Sequence, residues 1–197
     1  MRRTRGGSTQ RPRLNQSVWS GRLRGQLKPP ELHRQQAKKR LRFHLLTVSS
    51  GRYRRRAEHP PDESGDVAEK IIEAGGHIIQ NRRLISDDAR MLETALREFM
   101  KSNSDVLVYV GGTGLSKRDI TIETVRPYFE KEIHGFGELL RSQSFARVGA
   151  AAMLSRATAG VAKGRLILCL PGSPDAVETA LAVFISEFPH AVHIAKS

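Results

Sequence analysis

Short apolar runs alternate with amphipathic segments along most of the chain, and this alternation restricts the possible folds more than any other feature. Residues 43–48, 106–110 and 165–170 are mostly apolar and lack the polar alternation of a half-exposed strand. Between them, apolar residues recur at helical spacing, for example at Leu92, Leu96 and Phe99. Unalternating strands separated by helices are typical of parallel sheets covered on both faces. We therefore predict a three-layer α/β/α fold with a mostly parallel central sheet.

Capping and stop signals predict where the individual elements lie. Asp87 or Asp88 is placed to cap one helix, a glycine pair at 75–76 stops another, and Pro174 follows Ser173 at a helix start. The resulting strands are expected at 43–48, 77–85, 106–110 and 165–170. Helices are expected to begin near residues 64, 89, 121, 135 and 174. The helix that begins near 121 is expected to run to about 131.

Positive charge is concentrated at the N-terminus. The chain has 33 Lys and Arg against 20 Asp and Glu, a net charge of +13. Thirteen of these basic residues lie in residues 1–42, with Glu31 as the single acid. Because this segment also has few apolar residues, we predict a disordered basic tail over 1–41 and a folded domain over 42–197. The tail is either a solvated extension or an arm that makes weak contacts with nucleic acid or a partner.

Several protein classes are excluded by what the sequence lacks. One cysteine, Cys169, permits neither a disulfide framework nor a cysteine metal cluster within the chain. No apolar run approaches the roughly 20 residues of a membrane helix, and no apolar region of a secretory signal follows the basic start. The seven histidines are dispersed, and a Gly-x-Ser-x-Gly motif is absent. We expect a cytoplasmic protein that does not contact membranes.

A Gly-Gly-Thr-Gly turn at 111–114 directly follows the central apolar strand. Glycines at such a position let backbone N–H groups approach an anion closely. Lys117, Arg118, Asp119 and Thr121 follow within seven residues. Cations suit phosphate, and a carboxylate with a hydroxyl beside phosphate suits Mg²⁺. The alternative is a solvated loop in which Asp119 caps the next helix.

Three further groups of polar residues remain ambiguous on their own. Asp87 ends a predicted parallel strand and shares a sheet edge with the glycine turn, or it simply caps a helix. Glu138 and Arg141 are one helical turn apart and suit an ion pair, a subunit contact or a site. Ser155 and Arg156 offer a hydroxyl and a guanidinium to phosphate, or form an ordinary loop.

Taken together and in order, these motifs resemble those of a known family. The Gly-Gly-Thr-Gly turn with Arg-Asp-x-Thr is followed by Gly-Phe-Gly-Glu at 135–138, Ser-Arg-Ala at 155–157 and Leu-Pro-Gly-Ser at 170–173. Over about residues 42–190 the sequence is similar to the MogA/MoaB family, and to its MoaB branch in particular. These are molybdopterin adenylyltransferase-like proteins of molybdenum or tungsten cofactor biosynthesis.

The resemblance implies an assembly and an activity. It implies a trimer, or a hexamer of two trimers, that binds molybdopterin and ATP. The implied reaction is Mg²⁺-dependent transfer of AMP from ATP to the terminal phosphate of molybdopterin, with release of pyrophosphate. Two alternatives remain: a MoaB-like protein that binds molybdopterin without catalysis, and a nucleic-acid binder that uses the basic tail.

The resemblance also assigns residues. It makes Asp87 and Asp119 the catalytic carboxylates and the Mg²⁺ ligands. The first loop has Ser50 where the family commonly has Asp or Asn, which is a departure from the pattern. The implied substrate- and phosphate-binding residues are Ser49, Gly111, Gly112, Thr113, Gly114, Arg118, Thr121, Glu138, Ser155, Arg156, Pro171, Gly172 and Ser173.

Overall fold

The computed structural model describes Arg34 and residues 36–197. These residues form one mixed sheet of six strands with helices packed on it. The strand order across the sheet is β2-β1-β3-β6-β5-β4. The strands are β1 (Arg42–Val48), β2 (Ile78–Ile85), β3 (Val106–Val110), β4 (Lys131–Glu132), β5 (Thr158–Ala162) and β6 (Arg165–Leu170).

The sheet is parallel over its first four strands and antiparallel at one side. β2, β1, β3 and β6 run in the same direction, whereas β5 pairs antiparallel with β6, and β4 antiparallel with β5. A two-residue turn joins β5 to β6, with φ of 49° at Lys163 and 69° at Gly164. Two positive φ values in such a turn match the twist of a hairpin. The prediction of a mostly parallel sheet is confirmed, and the hairpin is an addition to it.

Helices cover both faces of the sheet, which confirms the three-layer prediction. Residues of α2, α5, α6 and α7 pack in one apolar cluster, and residues of α3 and α4 pack in another. The helices are α1 (Ser50–Arg54), α2 (Glu63–Ala74), α3 (Ala89–Lys101), α4 (Thr121–Val125), α5 (His134–Val148), α6 (Pro174–Phe184) and α7 (Phe188–Lys196). Short 3-10 helices lie at Arg56–Glu58, Arg126–Tyr128, Gly149–Leu154 and Ile185–Glu187.

Successive strand residues face opposite layers. In β3, Val108 belongs to the cluster under α2, α5, α6 and α7, whereas Tyr109 belongs to the cluster under α3 and α4. Leu168 and Cys169 of β6 divide in the same way. Because both faces are buried, both sets of side chains are apolar, and the strands appear as continuous apolar runs.

The helix expected over 121–131 is shorter than predicted. α4 ends at Val125, and a 3-10 helix that contains Pro127 follows it. Proline lacks the N–H that a continuing helix would need. The chain then extends, and Lys131–Glu132 pairs with β5.

The end of the basic segment packs against the folded domain. Ala37 and Leu41 are buried, and Lys38 Nζ lies 2.6 Å from the Asp105 carboxylate, which also contacts Lys196 Nζ at 3.0 Å. Burial would raise the pKa of Asp105, but hydrogen bonds from Lys38, the Arg42 N–H and Lys196 lower it below its ordinary value. The folded unit therefore includes residues 36–41. The rest of the predicted tail, residues 1–33 and 35, lies outside the described residues.

Within the described part of the chain, every helix is too short or too polar to cross a bilayer.

Candidate active site

A cleft of about 460 Å³ opens at the carboxyl ends of β1, β3 and β6. Ligands of parallel α/β sheets bind at this edge. The cleft brings together most of the residues singled out in the sequence: Ser49, Asp87, Gly111, Gly112, Thr113, Gly114, Asp119, Ser155, Arg156, Pro171, Gly172 and Ser173.

The turn after β3 requires glycine at its first two positions. Gly111 has φ of 107° and Gly112 has φ of 63°, a region that side chains rarely adopt. A Cβ on Gly111 would clash with the carbonyl oxygen of Val48, and one on Gly112 would clash with the Asp87 carboxylate and the Thr121 hydroxyl. The N–H of Gly111 donates to the carbonyl of Leu170, so the N–H groups that suit an anion in the cleft are those that follow Gly111 in the turn.

Thr121 lies beneath this turn and does not line the cleft. Its side chain is fully buried, and its Oγ1 donates to the carbonyl of Gly111 at 3.0 Å. Its N–H donates to the carbonyl of Gly112 at 2.9 Å. Both hydrogen bonds stabilise the conformation of the turn. Thr121 therefore supports the turn from below and does not contact a ligand in the cleft directly.

Asp88, not Asp87, caps α3. Asp88 Oδ1 accepts from the N–H of Met91 at 3.0 Å. Asp87 instead turns toward the cleft, where its Oδ2 accepts from Ser50 and its Oδ1 is buried without a hydrogen-bond partner among the described residues. Burial raises the pKa of Asp87 above its ordinary value, the hydrogen bonds from Ser50 oppose the shift, and the charge of Asp119 adds to it.

Asp119 flanks the glycine turn on its other side. Its Oδ2 accepts from the N–H of Ser116 at 3.1 Å, and a Cβ on Gly114 would lie 2.8 Å from the same oxygen. Two carboxylates at the edge of an anion-binding turn are a suitable partial donor set for a hard cation. Among the described residues no group of three or more His, Cys, Asp and Glu forms a metal cluster. The remaining ligands of such a cation would have to come from phosphate and water.

The opposite wall consists of the segments before β5 and after β6. Ser64 at the start of α2 donates its hydroxyl to the carbonyl of Gly172 at 2.7 Å, and a Cβ on Gly172 would lie 3.2 Å from Gly111 Cα. This close approach holds the Pro-Gly-Ser turn against the glycine turn. Ser173 precedes α6, but its hydroxyl makes no capping hydrogen bond.

Arg156 belongs to the same wall and forms an ion pair with Glu123 of α4. The contact restrains its guanidinium, which combines positive charge with several N–H donors.

Arg52 is a cleft residue that sequence reasoning missed. Its Nη1 lies 2.9 Å from Asp62 Oδ1, and Asp62 also accepts from Thr47 and caps α2 through the N–H of Gly65. The available signal was the Asp-x-Ser-Gly motif at 62–65, which begins α2 and supplies this carboxylate. The neighbouring Arg54, Arg55 and Arg56 are exposed and do not line the cleft, so the arginine run alone did not identify the relevant side chain.

Two other expected site residues lie elsewhere. Arg118 is exposed on the loop after the glycine turn, outside the cleft lining. Glu138 is exposed on α5, and in the described structure it forms no ion pair with Arg141. Arg141 instead lies against Gly137, where a Cβ would approach its guanidinium to 3.0 Å.

Comparison with known proteins identifies a family match over nearly the whole folded domain. Residues 44–190 match the family described as "Probable molybdopterin binding domain". The chain is 39% identical over 165 residues to the molybdopterin adenylyltransferase of Pyrococcus furiosus, an alignment that covers 81% of this chain and 94% of that protein. It is 36% identical over 164 residues to molybdenum cofactor biosynthesis protein B of Bacillus cereus, with coverage of 82% and 93%.

Solved structures give the same result. The tungsten cofactor synthesizing protein MoaB from Pyrococcus furiosus has a TM-score of 0.74 and 37% identity, and the alignment covers 82% of this chain and 100% of that chain. A structure of MogA has a TM-score of 0.70 and 28% identity, with coverage of 78% and 99%.

Proposed function

The chain belongs to the molybdopterin-binding domain family of molybdenum cofactor biosynthesis, and we propose that it is a molybdopterin adenylyltransferase. In this reaction an oxygen of the terminal phosphate of molybdopterin attacks the α-phosphorus of ATP. The bond from that phosphorus to the bridging oxygen breaks, and pyrophosphate leaves. The observation that carries the proposal is a glycine turn flanked by Asp87 and Asp119 at the carboxyl edge of the sheet.

The attacking phosphate is already an anion, so the proposed reaction needs no general base. What it needs is two polyanions held together while charge develops on the leaving group. The backbone of the glycine turn would accept a phosphate group, and Arg52 and Arg156 would supply positive charge from the two sides of the cleft. Ion pairs with Asp62 and Glu123 already restrain these two guanidinium groups. Substrate binding therefore costs less side-chain conformational entropy.

The residues present fit Mg²⁺. Asp87 Oδ1 is a buried carboxylate oxygen without a hydrogen-bond partner from the described chain, and Asp119 is close enough for its charge to act on Asp87. We propose that these two carboxylates hold the ion together with substrate phosphates, the usual pattern for Mg²⁺. When bound, the ion would neutralise phosphate charge. Because Ser155 and Ser173 line the cleft as well, their hydroxyls are candidate partners for the remaining phosphate oxygens.

The test of the proposed function is release of pyrophosphate from Mg-ATP by the purified protein, measured with and without molybdopterin. We expect release only when molybdopterin is present, with one adenylylated pterin formed per pyrophosphate. Absence of release in a sample that binds molybdopterin would contradict catalysis and favour the non-catalytic binding role.

We place the reaction in the cytoplasm, as the lone and buried Cys169 requires no oxidising compartment.

An exposed apolar surface supports a homo-oligomer, which we propose is a trimer or a pair of trimers. This surface, the α5 patch, lies on α5 and the 3-10 helix after it, and Leu154 extends it to the rim of the cleft. Phe145 is 63% exposed and Met153 75% exposed. Extensive exposed apolar surface marks interaction sites. Its large members are Leu139, Phe145, Val148, Met153 and Leu154.

We expect Phe145→Asp to reduce the molecular mass measured by light scattering to that of one chain, because a carboxylate buried in an apolar interface is strongly disfavoured. Ile194→Asp is the matched control, since Ile194 is an exposed apolar residue on α7 and lies outside the α5 patch. An unchanged mass for Phe145→Asp would exclude this surface as the interface.

A further inference from the structure

Ser50, the first residue of α1, makes polar contacts with Asp87, one of the two carboxylates at the glycine turn. Its N–H donates to Asp87 Oδ2 at 3.3 Å, and its hydroxyl reaches the same oxygen at 3.4 Å. In return, the N–H of Asp87 donates to Ser50 Oγ at 3.1 Å. Ser50 itself is absent from the cleft lining.

A second serine extends this set of contacts. Ser86 Oγ lies 2.9 Å from Ser50 Oγ. A hydroxyl carries one proton, so the arrangement that satisfies every group has Ser86 donating to Ser50 and Ser50 donating to Asp87. Successive hydrogen bonds of this kind polarise one another, which strengthens the last one, on the carboxylate.

These contacts engage one oxygen of Asp87 and leave the other free. Oδ2 accepts from both donors of Ser50, whereas Oδ1 lies against Gly112 without a partner from the described chain. A carboxylate held at one oxygen cannot rotate freely about its Cβ–Cγ bond. Oδ1 is therefore kept in one position, beside Gly112 of the glycine turn.

We propose that Ser50 is a positioning residue for Asp87, which holds Oδ2 so that Oδ1 is presented to the metal ion and phosphates of the bound nucleotide. The inference rests on the proposed function. It assigns to Ser50 a role in metal affinity and no direct contact with nucleotide. Neighbours that orient a metal-binding carboxylate typically change metal affinity or activity by about 10- to 100-fold when they are removed.

The test measures metal affinity directly, without turnover. Mn²⁺ replaces Mg²⁺ so that its binding to the full chain can be followed by electron paramagnetic resonance, in the presence of α,β-methylene-ATP. We expect Ser50→Ala to weaken Mn²⁺ binding by about 10-fold. Ser50→Thr keeps the hydroxyl and should restore most of the affinity. Ser186→Ala makes the same chemical change at an exposed position in the 3-10 helix Ile185–Glu187, and this variant should bind Mn²⁺ like the wild type.

A second variant and a kinetic measurement separate positioning from loss of fold. Ser86→Ala removes the hydroxyl that contacts Ser50 without touching Asp87, and we expect a smaller loss of Mn²⁺ affinity. Excess Mg²⁺ should recover turnover of Ser50→Ala. Unchanged Mn²⁺ affinity in Ser50→Ala, with an active wild type, would overturn the inference. A wild type that releases no pyrophosphate and binds no Mn²⁺ with nucleotide would overturn the proposed function itself.

Discussion

Asparagine in place of Asp87 or Asp119 should lower molybdopterin-dependent pyrophosphate release by about 10²- to 10³-fold, the usual cost of losing one group that stabilises developing charge. The substitution preserves shape but removes the negative charge that would hold a cation among phosphates. At Asp87 it also places an amide where Oδ1 now has no hydrogen-bond partner in the described chain. Molybdopterin binding, followed by fluorescence, should persist in both variants.

The neighbouring Asp88 provides a matched control for this prediction. Its side chain caps α3 and does not line the cleft, and asparagine caps helices as well as aspartate does. Asp88→Asn should therefore retain wild-type turnover and stability. Undiminished activity in Asp119→Asn, or equal losses in Asp87→Asn and Asp88→Asn, would contradict the assignment of the two carboxylates.

Gly112→Ala should lower activity by displacing Asp87, without removing its charge. The new Cβ would clash with the Asp87 carboxylate and the Thr121 hydroxyl, and the backbone is at φ of 63°. A residue other than glycine in that conformation costs about 1–3 kcal/mol of folding free energy. Displacement of Asp87 by about 1 Å is enough to lower turnover by about 10²-fold. Steady-state pyrophosphate release and urea unfolding measure the two effects separately.

Gly51→Ala is the control for the effect of the added methyl group. Gly51 lies in α1, close in sequence to Ser50, but a Cβ there would have no heavy atom within 4 Å. Alanine also restricts the unfolded chain more than glycine, so stability should stay the same or rise by about 0.4–1 kcal/mol. Equal activity in Gly112→Ala and the wild type would show that the turn tolerates a side chain and would remove the argument for close backbone approach.

The layers of the fold were predictable because the spacing of apolar residues along the sequence reflects which faces of each strand and helix are buried. The continuous apolar run of β3 and the helical spacing of Leu92, Leu96 and Phe99 each follow from the faces that these elements bury. The hairpin of β5 was missed, since Thr158–Ala162 is short and its residues are small. Its two-residue turn at Lys163 and Gly164 was the signal that could have indicated it.

The candidate site was predictable at the level of its loops, and less so at the level of single side chains. Strand order places the segments after β1, β3 and β6 at one edge, so their glycines and serines meet in the cleft. Thr121 was expected to face a ligand, and its hydroxyl instead donates to Gly111. Arg52 was not singled out, because its sequence position does not show that its guanidinium contacts Asp62, ten residues further along the chain.

By itself the sequence determined the alternation of strands and helices, the basic N-terminal segment and the motifs that mark the family. These properties depend on residue type and spacing along the chain. Tertiary structure alone decided that Asp88 caps α3 while Asp87 faces the cleft, and that Ser50 holds Asp87. The direction of a loop side chain depends on backbone angles set by contacts between distant segments, here the ends of β1 and β2, and adjacent residues of the same type do not reveal it.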